Sequence, residues 1–116
     1  MKHKGSCHCG AIRFEFFGPA ITEGVRCNCS LCERKGAMMA TFTLTAKELS
    51  ISSEQDALVK YQFGTDAAQH YFCSKCGIYP FHTLMSNSDK YRVNLGCIEG
   101  VKLSVLPFTV FDGAAI

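Results

Sequence analysis

Apolar and polar residues alternate along the chain from Ala11 to Phe17. A two-residue period is typical of a β-strand with one buried face and one exposed face. Gly18 and Pro19 follow directly, and this pair ends extended structure. The pattern therefore predicts a strand over 11–17.

Further strands are predicted by short runs of apolar and β-branched residues. Residues 37–44 form such a run and are expected to be well buried. The other predicted strands are Leu58–Phe63, Gln69–Phe72, Tyr91–Leu95 and Thr109–Phe111. Turn residues separate most of these segments, which favours an all-β domain with little helix.

Two short helical turns are predicted from capping patterns. Ser30 and Glu33 have the spacing of a capping box, and Gly36 is suited to end the helix that they begin. This places Cys32 in a first helical turn, where we expect the helix N-terminus to favour its thiolate. Thr45 and Glu48 repeat the capping spacing.

The composition fits one folded domain. The chain has 116 residues, of which 47% are hydrophobic, so we expect a single domain over residues 1–116. The first residues lack the apolar core of a signal peptide, and no later run is long enough to span a bilayer. These features predict a cytoplasmic location and no membrane contact.

Eight cysteines change the picture from an ordinary small β domain to a metal protein. Thiols stay reduced in the cytosol, which favours metal binding over disulfides, although disulfides remain the competing interpretation. Seven of the cysteines fall in three clusters, and Cys97 stands alone. The clusters are Cys7/Cys9, Cys27/Cys29/Cys32 and Cys73/Cys76.

The spacing suggests two metal sites. Cys73 and Cys76 form a C-x-x-C-G group, and a closed tetrahedral zinc site needs a distant pair such as Cys7 and Cys9 to complete it. The remaining three cysteines leave one coordination position open, unless Cys97 or a histidine closes it. Seven thiolates and two divalent ions would change the formal charge from +2 to −1. The mild basicity of the composition is therefore no evidence for nucleic-acid binding.

Four segments together resemble the glutathione-dependent formaldehyde-activating enzyme family, which includes the centromere protein V branch. The resemblance covers residues 5–100 and implies an Mss4-like β-tent of packed antiparallel sheets stapled by zinc. The matching segments are Gly5-Ser6-Cys7-His8-Cys9-Gly10, Cys27-Asn28-Cys29-Ser30-Leu31-Cys32, Tyr71-Phe72-Cys73-Ser74-Lys75-Cys76-Gly77 and Val93-Asn94-Leu95-Gly96-Cys97-Ile98-Glu99-Gly100.

The resemblance also implies roles for the cysteines and a reaction. Cys7, Cys9, Cys73 and Cys76 would hold a structural zinc ion, and Cys27, Cys29 and Cys32 a catalytic one. The implied activity is that of a carbon–sulfur lyase on thiol–aldehyde adducts such as S-hydroxymethylglutathione, formed from formaldehyde and glutathione. The implied partner is a small thiol or thiol adduct.

A second hypothesis is a non-enzymatic interaction module in which both zinc ions are structural. Closure of the second site by Cys97 would favour it, and iron is the competing metal for a tetrathiolate site. Arg26, Arg34 and Lys35 flank the three-cysteine cluster. They could attract a substrate carboxylate or offset thiolate charge, but they are interpreted as solvated charges. His82 could face a pocket, but it is interpreted as a surface or packing residue. The sequence carries no recognisable nucleic-acid element.

Overall fold

The computed structural model describes residues 1–64, 68–85 and 87–115. Within them the chain forms ten strands and one short α-helix, α1 (Ser30–Lys35), so the all-β expectation is confirmed. The strands are β1 (Lys2–Ser6), β2 (Ile12–Phe17), β3 (Gly24–Cys27), β4 (Leu44–Thr45), β5 (Ser50–Ser53), β6 (Leu58–Tyr61), β7 (His70–Cys73), β8 (Phe81–Leu84), β9 (Asn87–Val93) and β10 (Phe108–Phe111). Three 3₁₀ turns are also present. Two lie between β9 and β10, at Leu95–Cys97 and Leu103–Val105, and one follows β10, at Gly113–Ala115.

The described strands form three sheets. A three-stranded antiparallel sheet has the order β1-β2-β5, and a five-stranded antiparallel sheet has the order β4-β9-β8-β7-β6. The small third sheet pairs β10 with β3 in parallel. Pairing of β10 with β3 brings the end of the chain beside Cys27, because Phe111 is the register partner of that cysteine.

One hydrophobic core joins the two larger sheets. Phe14 and Phe16 point inward from β2, as their alternation predicts, and Phe14 meets Phe81 of β8 edge to face with ring centroids 6.0 Å apart. Val93 and Leu95 are completely buried in the same cluster. Aromatic edge-to-face pairs of this kind add to the free energy gained from area burial alone.

The run 37–44 is not the continuous strand that its composition predicts. Met39 makes only isolated bridges to Val25 and Asn94, and regular pairing begins at Leu44. Met38 and Ala40 are nevertheless fully buried in the core. The apolar character of the run therefore reflects packing between sheets, which sequence pattern does not distinguish from strand pairing.

The two predicted capping patterns have different outcomes. Thr45 and Glu48 exchange the reciprocal hydrogen bonds of a capping box, but the chain makes only a turn there before β5. At the first helix, the N-cap is Cys29 rather than Ser30, and its Sγ accepts a hydrogen bond from the Cys32 backbone N–H. Gly36 ends the helix in the left-handed conformation, as expected.

Gly5 permits a close cross-strand contact in the N-terminal sheet. It pairs with Phe14, and a Cβ at position 5 would lie 2.3 Å from the Phe14 ring. We expect Gly5→Ala to lower the free energy of unfolding by about 1–3 kcal/mol, because the Phe14 ring or the strand must shift to accommodate the methyl group. Denaturant unfolding would measure this change. Gly18→Ala is the matched control, since its Cβ would meet Phe16 at an ordinary 3.6 Å; equal stabilities of the two variants would contradict the prediction.

Candidate metal centres

Two tight turns bring four cysteine thiols together. Cys7 and Cys9 lie in the turn between β1 and β2, and Cys73 and Cys76 lie at the end of β7 and in the turn that follows. Their sulfur atoms all lie within 4.8 Å of one another. We call these four residues the tetrad. The structure thus joins the two cysteine pairs across 64 positions of sequence.

Backbone hydrogen bonds and glycine-containing turns hold the tetrad sulfur atoms in position. The Ile12 N–H donates to Cys7 Sγ at 3.3 Å, and the Lys75 N–H donates to Cys73 Sγ at 3.4 Å. Each turn is completed by a glycine with a positive φ, Gly10 at 83° and Gly77 at 79°, a conformation that side chains with a Cβ resist. Both turns therefore place a backbone N–H against a cysteine sulfur and contain a glycine with positive φ.

Two of the tetrad thiols, Cys76 and Cys9, have pKa values shifted in opposite directions. Burial raises the pKa of Cys76, but hydrogen bonds from the Cys9 and Ile78 backbones and from neighbouring thiols lower it to about 6. The Ala11 backbone lowers the pKa of Cys9, whereas burial and the Cys73 and Cys7 thiols raise it to about 11. Like charges this close disfavour one another, so full ionisation needs a cation among the sulfurs.

Three more cysteines meet where β3 leads into the helix. Cys27 ends β3, Cys29 caps α1, and Cys32 lies in the first helical turn. Their sulfur atoms also lie within 4.8 Å of one another, and we call them the triad. Among the described residues, no histidine or carboxylate joins this set.

The triad thiol favoured in ionised form is Cys29, which corrects the expectation for Cys32. Burial raises the pKa of Cys29, but hydrogen bonds from the Cys32 and Leu31 backbones and the two other thiols lower it below its ordinary value. Burial raises the pKa of Cys32 to about 12. The reason is positional: the residue that caps a helix receives the free backbone N–H groups, and that residue is Cys29.

Cys97 lies with neither set. Its thiol is near the Tyr79 carbonyl oxygen, at 3.9 Å, and burial raises its pKa to about 12. This environment fits a partly buried thiol that stays protonated. Asn94, another residue of that segment, donates from Nδ2 to the Tyr79 carbonyl at 2.8 Å and accepts from the Gly96 N–H. Its side chain therefore fixes the segment that carries Tyr79.

The C-terminal segment covers the triad from one side. Asn28 donates from Nδ2 to Asp112 and accepts at Oδ1 from the Ala114 N–H, each at 2.9 Å. Between these two bonds, Gly113 lies directly against Cys27, and a Cβ there would be 2.4 Å from Cys27 Sγ. This contact is not predictable from the sequence, because no local pattern links position 113 to position 27.

Gly113→Ala should weaken metal binding at the triad by about tenfold or more, since the added methyl group displaces Cys27 Sγ or the segment that covers it. Competition with a chromophoric chelator would measure the affinity. Ala115→Val, at an exposed position in the same segment, is the control and should bind metal as the wild type does. A Gly113→Ala protein with unchanged affinity would contradict this placement.

A cavity of about 270 Å³ opens beside Cys27 and Cys32. Its walls are mainly apolar and include Val25, Met39 and Leu84, while its polar lining comes from Lys35, His82 and Arg92. The preferred interpretation of Lys35 as a solvated charge is wrong, because the structure buries its ammonium group beside the triad. A larger cavity, of about 610 Å³, lies on the N-terminal sheet, and no cysteine lines it.

Burial governs the titratable groups around this cavity. It lowers the pKa of His82 to about 4, so the ring is neutral at pH 7. Since the Thr83 carbonyl can only accept, Nδ1 of His82 is the protonated nitrogen in their 2.9 Å hydrogen bond, which leaves Nε2 as an acceptor. Burial likewise lowers the pKa of Lys35, while its interaction with the nearby Cys32 sulfur opposes this shift.

Comparison with known proteins places the chain in a family. The profile of the family described as "Glutathione-dependent formaldehyde-activating enzyme" matches residues 2–109. The chain belongs to this family. The resemblance found from the cysteine motifs is therefore confirmed, and with it the Mss4-like arrangement of packed antiparallel sheets.

Two relatives of the family member described here show different extents of similarity. A Halomonas elongata protein, provisionally named a glutathione-dependent formaldehyde-activating enzyme, is 34% identical over 88 residues, which cover 66% of this chain and 52% of that protein. The chain thus spans about half the length of this curated relative. A crystal structure of a Rhodobacter sphaeroides protein superposes with a TM-score of 0.77 at 40% identity, covering 91% of this chain and 99% of the other.

No helix among the described residues has the length and apolar character needed to cross a membrane.

Proposed function

We propose that this family member is a zinc-dependent enzyme that adds a thiol to an aldehyde, or releases the aldehyde again, at the cysteine triad. The observation that carries the proposal is a three-thiol set beside a cavity, next to a separate four-thiol set. Four protein ligands are typical of structural zinc, and three with an accessible position are typical of catalytic zinc. The family membership supports formaldehyde and glutathione as the aldehyde and the thiol.

The donor atoms of the tetrad fit zinc. Sulfurs bound tetrahedrally at ~2.3 Å from zinc lie ~3.8 Å apart. Cys9 Sγ lies 3.7 Å from Cys7 Sγ and 3.6 Å from Cys73 Sγ. We assign the tetrad to a structural zinc ion and the triad to a second zinc ion, with soft thiolate ligands in both.

When bound at the triad, zinc would lower the pKa of an incoming thiol and polarise the aldehyde oxygen. The chain's own residues then shape the reaction. The apolar wall of Val25, Met39 and Leu84 excludes water from the carbonyl carbon, and Nε2 of His82 can accept a hydrogen bond from a hydroxymethyl group. In the forward direction the C–S bond forms, the carbonyl π electrons move to oxygen, and that oxygen takes up a proton. The reverse sequence is the lyase reaction.

The tetrad also supports the triad structurally. Tyr79 follows Cys76 and Gly77 in the same short segment, and its ring lies under the Lys35 ammonium at 4.1 Å from the centroid. Its hydroxyl group is hydrogen-bonded to His70 Nδ1 at 2.6 Å. A metal ion that fixes the turn at Cys76 therefore also fixes one wall of the region around Lys35.

The test combines metal stoichiometry with exchange kinetics. Native mass spectrometry on protein purified under reducing conditions without chelator should give two zinc ions per chain. Exchange NMR on mixed formaldehyde and glutathione should then show adduct formation faster than the spontaneous rate. Exchange at the spontaneous rate by the fully loaded protein would refute the enzymatic proposal and leave the zinc-stabilised interaction module.

We also propose that the chain forms one domain. We assign residues 1–116 to one domain of this family, although positions 65–67, 86 and 116 lie outside the described residues. The small thiol partner and the cytoplasmic location follow from the proposed reaction and from the reduced state that seven ligand thiolates require.

A further inference from the structure

Lys35 presents a buried ammonium group beside the triad. Its Nζ is enclosed, and no described atom meets the geometry of a hydrogen bond to it. Its nearest aromatic neighbour, the Tyr79 ring, offers a cation–π contact at 4.1 Å but no lone pair. Burial of an ammonium group is costly unless an acceptor or a counter-charge is supplied. The triad cysteines supply part of that counter-charge, and the cavity that Lys35 lines leaves room for an anionic ligand beside them.

Arg92 brings a second positive charge to the same cavity from a different element. It lies on β9 of the five-stranded sheet, whereas Lys35 lies at the end of α1. One terminal nitrogen of Arg92 donates to the Ala40 carbonyl at 2.8 Å, which fixes the guanidinium and leaves other N–H groups available. A guanidinium group held in this way is suited to bind a carboxylate.

Among the described residues, no aspartate or glutamate lines this cavity. The lining contains Lys35, Arg92 and neutral His82, together with Cys27 and Cys32. Three thiolates with one divalent ion carry a formal charge of −1, which Lys35 neutralises. Arg92 then leaves the site with one positive charge that a substrate anion can compensate.

We propose that Lys35 and Arg92 bind a carboxylate of the substrate in the cavity beside the triad, an inference that rests on the proposed function. The cavity has a volume of about 270 Å³, slightly below the range of about 300–1000 Å³ that is typical of pockets for drug-sized ligands. A carboxylate a few bonds from the reacting sulfur or carbonyl carbon fits within this volume. The carboxylate belongs either to the thiol or to an aldehyde acid, and the two sources need separate probes.

Matched acids and amides isolate the contribution of the carboxylate. For the thiol, 3-mercaptopropionate is compared with 3-mercaptopropionamide; for the aldehyde acid, glycolate and glycolamide serve as unreactive stand-ins. Binding to the zinc-loaded protein is followed by ¹H–¹⁵N NMR, without aldehyde and without turnover. We expect at least one acid to bind about tenfold more tightly than its amide, since a charge-assisted hydrogen bond adds about 1.4 kcal/mol over a neutral one.

Variants assign this preference to the two cations. Lys35→Met keeps the apolar stem and removes a buried charge, so it is expected to fold, and it should reduce the preference for the acid to about twofold or less. Arg92→Met should do the same, and its loss of the bond to Ala40 makes Lys35→Met the safer test of the pair. Arg34→Met is the control, because Arg34 lies on the same helix but is exposed and bonded to the Ser30 carbonyl.

Each outcome has a defined meaning. A preference among the thiols alone assigns the carboxylate to the thiol, and a preference between glycolate and glycolamide alone assigns it to the aldehyde. Equal binding of acid and amide in both wild-type pairs would overturn the proposal, as would a preference that survives in Lys35→Met and Arg92→Met. Because these are binding measurements, a protein without formaldehyde exchange activity can still confirm the carboxylate site, which separates this inference from the proposed reaction.

Discussion

Replacement of Cys73 by serine should unfold the domain at room temperature. Cys73 is buried at the end of β7, and its sulfur lies 3.6 Å from that of Cys9 in the opposite turn. Structural zinc contributes about 10–16 kcal/mol in small zinc domains, whereas a whole domain is stable by only about 5–15 kcal/mol. Loss of one of four ligands therefore removes a large part of the margin. Circular dichroism and native mass spectrometry should show no cooperative thermal transition and no metal at the tetrad.

Cys97→Ser is the matched control for this variant. It changes the same atom at a partly buried cysteine, but position 97 belongs to neither metal set. The control should retain two metal ions and a cooperative transition. A Cys73→Ser protein that melts at the wild-type temperature would show that packing alone stabilises the fold and that the tetrad is not its structural metal centre.

The sequence predicted the grouping of the cysteines better than it predicted the strands between them. Metal ligation depends on residue type and short spacing, both visible in the chain, so Cys7 and Cys9 could be paired with Cys73 and Cys76 before any geometry was known. Strand β8 (Phe81–Leu84) lies in the middle of its sheet but was not predicted. It follows Pro80 directly and contains only one β-branched residue, Thr83, so strand composition does not mark it.

The surroundings of the triad could not be predicted for a different reason. Lys35 follows Arg34 and precedes Gly36, and this context indicates a solvated helix end. In the fold, the Tyr79 ring lies against the Lys35 ammonium group, which is buried at the edge of the cavity. Gly113 and Arg92 reach the triad region from 86 and 60 positions beyond Cys27 and Cys32 respectively. Such contacts are set by sheet order, in particular by the parallel pairing of β10 with β3. Local sequence carries no record of them.

Cys29→Ser should abolish the proposed reaction while the fold is retained. Serine is a good helix N-cap, so its Oγ can replace Cys29 Sγ as acceptor of the Cys32 N–H and preserve α1. It cannot supply the soft thiolate, and the triad then has two cysteines left for its metal. We expect native mass spectrometry to show one zinc ion in place of two. Turnover should fall by at least about 100-fold, the cost that even loss of an outer-shell partner can reach.

Cys29→Ala separates capping from metal binding in the same measurement. It removes the cap as well as the ligand, so it should lose the same activity as Cys29→Ser and a further ~1 kcal/mol of stability. Both variants should keep the tetrad zinc and a cooperative transition, because the triad lies on a partly exposed turn outside the buried core. Undiminished exchange between formaldehyde and glutathione in Cys29→Ser would place the reaction elsewhere. If both variants instead lost both metals, the two centres would form one cooperative unit joined through the segment from Cys76 to Tyr79.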